Sequence, residues 1–569
     1  MYLPKKWDIK QIDSTLVEKL SAALNINRIT AGVMVSRGMT NIGQAEKFLN
    51  PSLDYLYDPY LLPDMEKCVS RIKKAIHNRE KILIYGDRDV DGITATVIMT
   101  EALTDLGADC GYFVPMEEAY GMQKEVIDKY SSQGGRLIVT VDCGIKNIEE
   151  IEYAKKMGIE TIITDHHETA DAIPGAMALV NPKVKASKYP FREIAGCIVA
   201  FKVCQAVNST FENGRRKEFI DKYIDLMALG SIADIVPLKD ENRVIVSYGL
   251  KPLANTGRLG LRLLIESCMN ATEVTELSSK DVSWKIVPPL NASGRMGNAV
   301  LSCELMRSRD RIQAEKLVDQ IIILNNKRKS SQEKSLKIIS SIIHEQCNVV
   351  DDKVLVIASD EIDKRIAGVI ASHIMQEYHR PIVVLRVEDR EVVGSARSIE
   401  AFDIGEALNS CGDLLTKFGG HKFAAGLSML EDSIELFRKR INEYADSMLT
   451  KEDLAPKIAV DQIVRSDQID EKLFSEINKL EPFGYYNQPP VFAMYGVELE
   501  KNNTAGYNKE HLRVKLKNSK FEGFGWGLGI LNRELHKVNR VDMIFSLDTT
   551  VWDDRKIPRL VIYDLKPAF

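Results

Sequence analysis

Residues 81–94 read KILIYGDRDVDGIT, a short apolar run that ends in glycine and opens into three aspartates. The apolar run predicts a buried strand, and the spacing of apolar residues in the GITATVIMTEALTDLG that follows predicts a helix. The same order recurs downstream in RLIVTVDCG (136–144), IEEIEYAKKMG (148–158) and IETIITDHH (159–167). Buried strands that alternate with amphipathic helices are typical of a parallel α/β sheet.

The pattern of apolar residues changes on both sides of this region. TLVEKLSAALNI (15–26) and MEKCVSRIKKAIHN (65–78) show helical spacing, and we expect them to form an appendage that packs on the next unit. A stretch after Met306 has neither Gly nor Pro over more than thirty residues, which favours a long connecting helix. The predicted units are a helical appendage (1–80), a first α/β domain (81–306), a connecting helix (307–348), a second α/β domain (349–455) and a mostly β domain of the size of an OB-like barrel (456–569).

Composition limits the class of protein without choosing a function. The chain has 569 residues, 76 Lys and Arg against 81 Asp and Glu, and a formal net charge of −5. A nucleic-acid partner would therefore need local basic patches or metal ions. The nine cysteines form no C-x-x-C pair, which argues against a disulfide framework or a structural zinc site. Neither an apolar leader nor a membrane-length apolar run is found, so we expect a cytoplasmic protein that does not bind membranes.

Three carboxylates, Asp87, Asp89 and Asp91, follow the first strand at its carboxyl end. In open α/β sheets this edge is where ligands bind. A calcium loop is one alternative, but it requires Glu at the twelfth position, which is Ile98 here, and a helix rather than a strand before the loop. A solvated acidic turn is the other alternative for this motif taken alone.

The following strands carry further metal-binding residue types to the same edge. Asp142 ends the second run, and Asp165, His166 and His167 end the third. An aspartate at a strand end is usually a helix cap, and an isolated histidine pair is usually structural. The convergence of these residues on one edge of the sheet favours a metal site. Asp234, in GSIADIVPL, is a further candidate. Oxygen and nitrogen ligands without thiolate suit a pair of Mn²⁺ or Mg²⁺ ions better than a structural zinc.

These motifs carry a resemblance to a known family. GDRDVDGIT (86–94), VDCGI (141–145), TDHH (164–167) and GSIADIVPL (230–238) resemble the four motifs of the DHH phosphoesterase superfamily. Within it, the single-stranded-DNA exonucleases are similar to this chain at four downstream segments, NASGRMG (291–297), GSAR (394–397), GGHKFAAG (419–426) and LEPFGYYNQPPVF (480–492). The resemblance implies an α/β fold in which a parallel-sheet DHH domain is joined by a long helix to a DHH-associated domain, followed by an OB-like β-barrel.

The chain departs from the family pattern at two places. Arg88 stands where the family usually has an aromatic residue, and Tyr486 and Gln488 replace a glycine and a proline. Arg88 alternates away from Asp87 and Asp89, so we expect metal binding to survive, with the cation touching nucleic acid or lowering the negative potential of the site. The second departure lies outside the metal site and bears on barrel packing.

The resemblance implies a set of metal ligands and catalytic groups. Asp142 is expected to bridge two cations, while Asp91 either binds metal or supports a residue that does. His167 either binds metal, contacts the scissile phosphate or protonates the leaving oxygen, and Asp165 is expected to orient a histidine. The implied metal set is Asp87, Asp89, Asp91, Asp142, His166, His167 and Asp234, and the catalytic set is His167, Asp142 and Asp165.

Two further groups of residues are expected to hold the substrate. The second α/β domain offers backbone N–H groups in its Gly419-Gly420-His421 segment, and arginines that can clamp phosphate. The predicted phosphate-binding residues are Arg295, Ser395, Arg397, Gly420 and His421. In the C-terminal domain, cations alternate with apolar residues in HLRVKLK (511–517), near Phe524 and Trp526, which suits single-stranded nucleic acid. These cations are Arg513, Lys515 and Lys517, and a solvated outer face is the alternative.

The expected function is metal-dependent hydrolysis of single-stranded DNA from its 5′ end to mononucleotides, in DNA repair and recombination. The polarity and the preference for DNA come from the resemblance alone. One alternative is a phosphodiesterase of the same superfamily that acts on short oligonucleotides or cyclic dinucleotides. Another is a replication factor that has the fold without catalysis. We expect a monomer supplied with DNA by partners such as a helicase and a single-strand-binding protein.

Overall fold

The computed structural model describes residues 5–116, 121–170, 172–211, 216–270, 274–552 and 555–568. Its N-terminal elements are β1 (Lys6–Ile9), α1 (Ser14–Leu24), α2 (Arg28–Ser36) and α3 (Ile42–Leu49). β1 pairs in parallel with residues 457–460, and the buried side chains of the three helices share a core with the C-terminal barrel. Only α4 (Met65–His77) packs on the parallel sheet. The predicted appendage is therefore divided between two cores, because an amphipathic pattern shows that a face is buried but not against what.

A five-stranded parallel sheet forms the centre of the first α/β domain, with the strand order β3-β2-β4-β5-β6. Its two faces are covered by different helices, as the near-continuous apolar strands require. The elements are β2 (Lys81–Tyr85), α5 (Val90–Asp105), β3 (Asp109–Phe113), α6 (Lys124–Ser132), β4 (Leu137–Val141), α7 (Ile148–Lys156), β5 (Glu160–Thr164) and β6 (Ala178–Val180).

A layer of helices follows this sheet and packs on the α4 and α5 side of it. α8 begins directly beside the strand ends, which brings its first backbone N–H groups to the edge where the aspartates lie. The elements are α8 (Gly196–Asn208), α9 (Arg216–Ala233), α10 (Asp240–Ala254), α11 (Leu259–Cys268), α12 (Ser279–Asp281), a π-helical turn (Val282–Ile286), α13 (Val287–Arg295) and α14 (Val300–Arg307).

The predicted connecting helix is a single α-helix of 36 residues, α15 (Arg311–Gln346), capped by the Asp310 side chain. It leads to a mixed five-stranded sheet with the order β10-β11-β9-β8-β7, in which only the β7 and β8 pair is parallel. The elements are β7 (Leu355–Ser359), α16 (Ala367–Tyr378), β8 (Ile382–Glu388), β9 (Glu391–Arg397), α17 (Ile404–Ser410), β10 (Leu415–His421), β11 (Ala424–Leu430) and α18 (Ile434–Met448).

The C-terminal domain is a closed five-stranded barrel, which confirms the OB-like prediction. Strand 492–505 pairs with both strand 511–516 and strand 540–552. Strand 522–525 pairs in parallel with strand 555–567. The elements are β12 (Lys457–Val460), β13 (Gln462–Ile463), α19 (Glu471–Asn478), β14 (Phe492–Ala505), β15 (His511–Leu516), β16 (Glu522–Gly525), α20 (Asn532–Leu535), β17 (Arg540–Trp552) and β18 (Arg555–Pro567). Among the described residues, none of the helices has both the length and the apolar character needed to cross a bilayer.

Candidate metal centre

The first acidic motif turns directly from β2 into α5. Asp89 caps the helix, since its Oδ1 atom accepts the backbone N–H of Gly92 at 3.0 Å. Asp87 accepts the backbone N–H of Arg88 at 2.8 Å. A Cβ atom at Gly92 would lie 2.7 Å from the Asp87 backbone, so only glycine fits this turn. The tight turn aims both carboxylates at the carboxyl edge of the sheet.

Asp91 is the second residue of α5 and is almost fully buried. Its two carboxylate oxygens accept the backbone N–H groups of Gly196 and Cys197, at 2.6 and 2.9 Å. These groups begin α8, so the positive end of that helix helps to hold the carboxylate. A Cβ atom at Gly196 would also lie 2.3 Å from Asp142 Oδ1. The start of α8 thus fixes two acidic side chains at once, a role that the sequence did not reveal.

The ends of the next two strands complete a compact cluster around His166. Asp142, which follows β4, takes a left-handed backbone conformation with φ of 60°. The His166 Nε2 atom lies 3.1 Å from Asp142 Oδ1, 3.7 Å from Asp234 Oδ2 and 3.8 Å from Asp91 Oδ2. Within the described part of the chain, neither His166 Nε2 nor Asp142 Oδ1 makes a hydrogen bond, although both atoms are buried. Such orphaned atoms in native proteins call for a bound ion or water.

Asp165 lies behind the cluster and contacts its histidines. Its Oδ1 atom accepts the backbone N–H groups of His166 and His167 and lies 2.8 Å from His167 Nδ1. Its Oδ2 atom accepts the backbone N–H of Ile145. Asn181 further fixes the pair by donating to the His167 carbonyl at 3.0 Å. The orientation of the His167 ring is therefore set from within the protein.

The pKa values of the clustered aspartates are raised, which indicates a site that cations would stabilise. Burial, together with the charge of Asp89, raises the pKa of Asp87 to about 7. Burial and neighbouring aspartates raise the pKa of Asp142 and Asp234 well above their usual range, and burial also raises the pKa of Asp91. Carboxylates so close together cannot all be ionised unless cations neutralise them.

The two histidines have opposite pKa shifts. Burial lowers the pKa of His166 to about 4, so its ring is neutral near pH 7, which is the form that binds metal. Burial also opposes the charge on His167, but the hydrogen bond and the charge of Asp165 outweigh it and raise the pKa of His167 to about 9. His167 is thus set up to carry a proton.

The donor atoms group into three sets, each with its ligand atoms within 4.8 Å of one another. These sets contain only carboxylate oxygens and imidazole nitrogens, so they fit hard or borderline divalent cations. Asp142 and His166 each belong to two sets. The sets are Asp142, His166 and His167; Asp91, His166 and Asp234; and Asp87, Asp89 and Asp142.

A group of guanidinium side chains lies beside this cluster. Burial lowers the pKa of Arg295, and the nearby charges of Arg328, Arg397 and Arg88 lower it further, whereas Asp89 opposes the shift. Arg295 ends α13, Arg328 lies on the connecting helix and Arg397 ends β9, so three parts of the chain contribute. We call Arg88, Arg295, Arg328 and Arg397 the guanidinium cluster. Arg328 was missed from the sequence, because one arginine on a polar helix face carries no pattern.

The predicted phosphate-binding segment of the second α/β domain lies at the edge of its sheet. Gly419, Gly420 and His421 are on the edge strand β10, paired with β11. Burial and the charges of Arg397 and then Lys146 lower the pKa of His421, which places it near the guanidinium cluster. The segment GGHKFAAG (419–426) thus forms the end of a hairpin between β10 and β11.

Ser395 and Arg397 project from β9 in the same domain. Arg397 Nη1 donates to Ser395 Oγ at 3.0 Å and to the Ala396 carbonyl at 2.7 Å. A Cβ atom at Gly368, near the start of α16, would lie 2.7 Å from Arg397 Nη2. The guanidinium group is therefore packed in place.

The cations of β15 do lie together on the outer face of the barrel, but each has an acidic partner. Arg513 pairs with Glu522 at 3.2 Å, Lys515 with Glu500 at 2.8 Å and Lys517 with Glu498 at 2.8 Å. This face is therefore a ladder of ion pairs rather than a continuous basic stripe. Sequence alternation could not show which residues occupy the neighbouring strands.

Aromatic side chains next to this ladder form an exposed cluster. The Trp526 ring lies 4.7 Å from the His511 ring and 4.6 Å from the Phe524 ring, and Arg559 lies 6.0 Å from the Phe524 centroid. Trp526 is 58% exposed. In OB folds the face of the second and third strands, here β15 and β16, binds single-stranded nucleic acid.

Three domain-family models match the chain. They are the DHH family N-terminal domain over residues 81–231, the DHHA1 domain over residues 351–447 and the RecJ OB domain over residues 460–564. Together with the acidic cluster at the strand ends, these matches define the class of protein as a DHH phosphoesterase.

Individual relatives narrow the class. The chain is 35% identical over 565 residues to the single-stranded-DNA-specific exonuclease RecJ of Bacillus subtilis, a match that covers 98% of this chain and 70% of the relative. It is 28% identical to the same protein of Escherichia coli, over 92% of this chain and 89% of the relative. The crystal structure of Thermus thermophilus RecJ in complex with Mn²⁺ has a TM-score of 0.84 at 27% identity, covering 99% of this chain and 80% of that one. The chain belongs to the RecJ family.

Proposed function

We propose that this protein is a metal-dependent exonuclease that hydrolyses single-stranded DNA from its 5′ end to mononucleotides, in DNA repair and recombination. The observation that carries the proposal is the convergence of Asp91, Asp142 and Asp234 on the buried His166 Nε2 atom, within 4 Å. This cluster has no plausible structural purpose without cations, because its carboxylates repel one another.

The names of the relatives support the choice of substrate and cofactor. The relatives in Bacillus subtilis and Escherichia coli are named single-stranded-DNA-specific exonucleases. The Thermus thermophilus protein has been crystallised with Mn²⁺ and with Mg²⁺. We therefore propose two ions of Mn²⁺ or Mg²⁺ as the cofactors of this chain.

The residues that would hold these ions are Asp87, Asp89, Asp91, Asp142, His166, His167 and Asp234. Asp142 and His166 each belong to two of the three donor sets, and Asp142 is proposed as the shared ligand because a carboxylate has two oxygen atoms to offer. When bound, the cations supply a nucleophile from water near neutral pH and neutralise charge on the phosphodiester. As the alternative to a metal-bound His167, Asp165 would hold a protonated His167 ring that donates to the scissile phosphate or to the leaving 3′ oxygen.

The guanidinium cluster is consistent with the polarity of cleavage that the family resemblance implies. The guanidinium cluster is adjacent to Asp89 and is suited to a terminal phosphate, which Arg295, Ser395, Arg397, Gly420 and His421 would hold. The barrel would hold the strand further along, where Trp526 and Phe524 can stack on bases. Arg513, Lys515 and Lys517 would contribute charge at the edge of that face.

We also propose an oligomeric state, partners and a location. The protein would act as a monomer. A strand-specific enzyme needs single strands, which a helicase and a single-strand-binding protein would supply. The cellular location would be that of the DNA.

The direct test uses single-stranded DNA labelled separately at its 5′ and 3′ ends. The protein and its Asp89→Ala variant are incubated with each substrate in Mn²⁺ or in EDTA. Early release of labelled mononucleotide from the 5′ end alone, absent with the variant and in EDTA, is the expected result. Cleavage of dinucleotides with intact longer DNA would favour a small-substrate phosphodiesterase. Binding without cleavage would favour a non-catalytic factor.

A further inference from the structure

Two neighbouring tyrosines, Tyr485 and Tyr486, are exposed on the segment that joins α19 to β14. Tyr485 is 44% exposed and Tyr486 is 63% exposed. Their ring centroids are 5.0 Å apart with the planes at 85°. The Lys239 Nζ atom lies 4.3 Å from the Tyr486 ring centroid. An exposed aromatic pair with a cation on its face resembles the surfaces that bind unpaired nucleobases.

The backbone of Tyr486 is in the left-handed region, with φ of 65°. A residue with a Cβ atom is strained there, whereas glycine is not. Glycine is also the residue that the family motif has at this position. Burial does not offset the strain, since most of the ring faces solvent. Local strain of this kind is characteristic of positions that contact ligands.

Hydrogen bonds to its backbone carbonyls hold the segment that carries the two tyrosines. The Arg243 guanidinium group donates to the Leu480 carbonyl at 3.1 Å and to the Glu481 carbonyl at 2.8 Å. The Ser279 hydroxyl donates to the Phe483 carbonyl. Arg243 and Ser279 belong to the first α/β domain, so the segment is attached to the domain that holds the metal centre.

A backbone hydrogen bond connects the tyrosine pair to the segment that carries Asp234 of the metal centre. The backbone N–H of Leu238 donates to the Tyr485 carbonyl at 2.8 Å. Leu238 follows the candidate ligand Asp234 by only four residues, which span at most about 14 Å when fully extended. Ile235 between them is 65% exposed, whereas Val236 and Leu238 are buried.

We propose that Tyr485 and Tyr486 form a stacking platform for bases of single-stranded DNA on the 3′ side of the scissile phosphate. The inference rests on the proposed exonuclease function. A strand whose 5′-phosphate is held by the guanidinium cluster passes the metal centre and continues toward the barrel, and the platform lies on that route. Lys239 adds attraction for the backbone phosphates. The platform thus connects the metal centre with the barrel.

The first experiment measures DNA binding without divalent cations, so that cleavage cannot interfere. Fluorescence anisotropy of a 5′-phosphorylated oligonucleotide is compared for the wild type and for Tyr486→Gly, Tyr486→Trp and Tyr60→Ala. Tyr60 is a matched control because it is 42% exposed and lies outside this segment. We expect the glycine variant to bind between about fivefold and a hundredfold more weakly, with the other two variants close to wild type. Equal binding by the glycine variant would overturn the proposal.

Thermal unfolding separates this effect from misfolding. The Tyr486→Gly variant should melt no lower than the wild type, because glycine relieves the left-handed backbone. A second substrate, with abasic sites at successive positions from the second nucleotide, tests stacking itself. The abasic site that weakens wild-type binding most should have little further effect in the glycine variant. Fully additive losses would contradict stacking.

The same experiments distinguish two kinds of failure. If the wild type neither binds nor degrades single-stranded DNA, the proposed function fails and the platform fails with it. If the wild type degrades single-stranded DNA and 5-iodouracil crosslinks map only to the barrel, the platform alone is rejected. Crosslinks to Tyr485 or Tyr486 would support it.

Discussion

The Nε2 atom of His166 lies 3.1 Å from the Oδ1 atom of Asp142, and neither atom makes a hydrogen bond within the described residues. Both atoms are buried. A neutral imidazole and a carboxylate are both good ligands for a divalent cation. The protein folds with its ligand atoms already close together, and several measurable properties follow.

Replacement of Asp142 by Asn should abolish nuclease activity and still stabilise the metal-free protein. The amide is nearly isosteric but removes one of the mutually repelling carboxylates, whose pKa is raised by burial and by neighbouring aspartates. We expect the free energy of unfolding in EDTA to rise by roughly 1–3 kcal/mol at pH 7. Urea denaturation of both proteins checks this. A destabilised variant would show that the carboxylate has a structural partner.

Mn²⁺ should raise the melting temperature of the wild type in a concentration-dependent way. Ligands that bind only the folded state stabilise it by about 2.7 kcal/mol at a hundred times the dissociation constant. The effect should disappear in Asp142→Asn and persist in Asp109→Asn, which changes an exposed carboxylate on β3. Differential scanning fluorimetry over a Mn²⁺ titration provides the measurement. Equal shifts in all three proteins would locate binding elsewhere.

The stability of the metal-free protein should fall as pH rises from about 6.5 to 9. The pKa of His167 is raised to about 9 and that of Asp87 to about 7, so the folded protein retains protons that the unfolded chain has released. His166, whose pKa is lowered to about 4, acts in the opposite direction, but only below about pH 6.5. Denaturation at fixed pH values tests the slope. Saturating Mn²⁺ should remove the decline.

Replacement of Arg397 by Ala should lower kcat/KM for 5′-phosphorylated DNA by roughly tenfold to a hundredfold, the usual loss for a hydrogen bond to a charged group. DNA with a 5′-hydroxyl should be affected much less. Arg440→Ala, which removes an exposed pair with Asp413, provides the matched control. Equal losses on both substrates would place Arg397 away from the terminal phosphate.

On the barrel, Trp526→Ala should weaken DNA binding more than Lys517→Ala. The tryptophan is exposed in an aromatic cluster, and loss of one stacked base costs about 1–3 kcal/mol. Lys517 already pairs with Glu498, so its removal should chiefly reduce the salt dependence of binding. Anisotropy titrations at several salt concentrations separate the two effects. A larger loss for Lys517→Ala would restore the basic face predicted from the sequence.

Much of the fold was predictable because local patterns reflect local burial. The run KILIYG followed by aspartates specified a strand, a turn and a helix, and the absence of Gly and Pro specified α15. What could not be predicted depends on distant partners. The helices of residues 14–49 gave no sign that they pack on the barrel. The glutamates that pair with Arg513, Lys515 and Lys517 lie on neighbouring strands, whose register only the folded chain determines.

The candidate site shows the same division. Aspartates and histidines at strand ends were recognisable because parallel strands bring their carboxyl ends to one edge. Gly196, Asn181 and Arg328 were missed, since each acts through a contact made by folding. The exposed Tyr486 was visible as a departure from the family motif, but its backbone conformation and its distance from Lys239 were not.

The pairing of β1 with β12 has a consequence for synthesis of the protein on the ribosome. Arg37 hydrogen-bonds to Asn487 across 450 positions of sequence, so the helices of residues 14–49 cannot close their core until the barrel strands have been synthesised. Until then, apolar residues such as Leu20 and Met34 remain without their partners and are exposed to aggregation or to chaperones. The catalytic domain can fold first, and completion of the barrel then joins segments that lie far apart in the sequence.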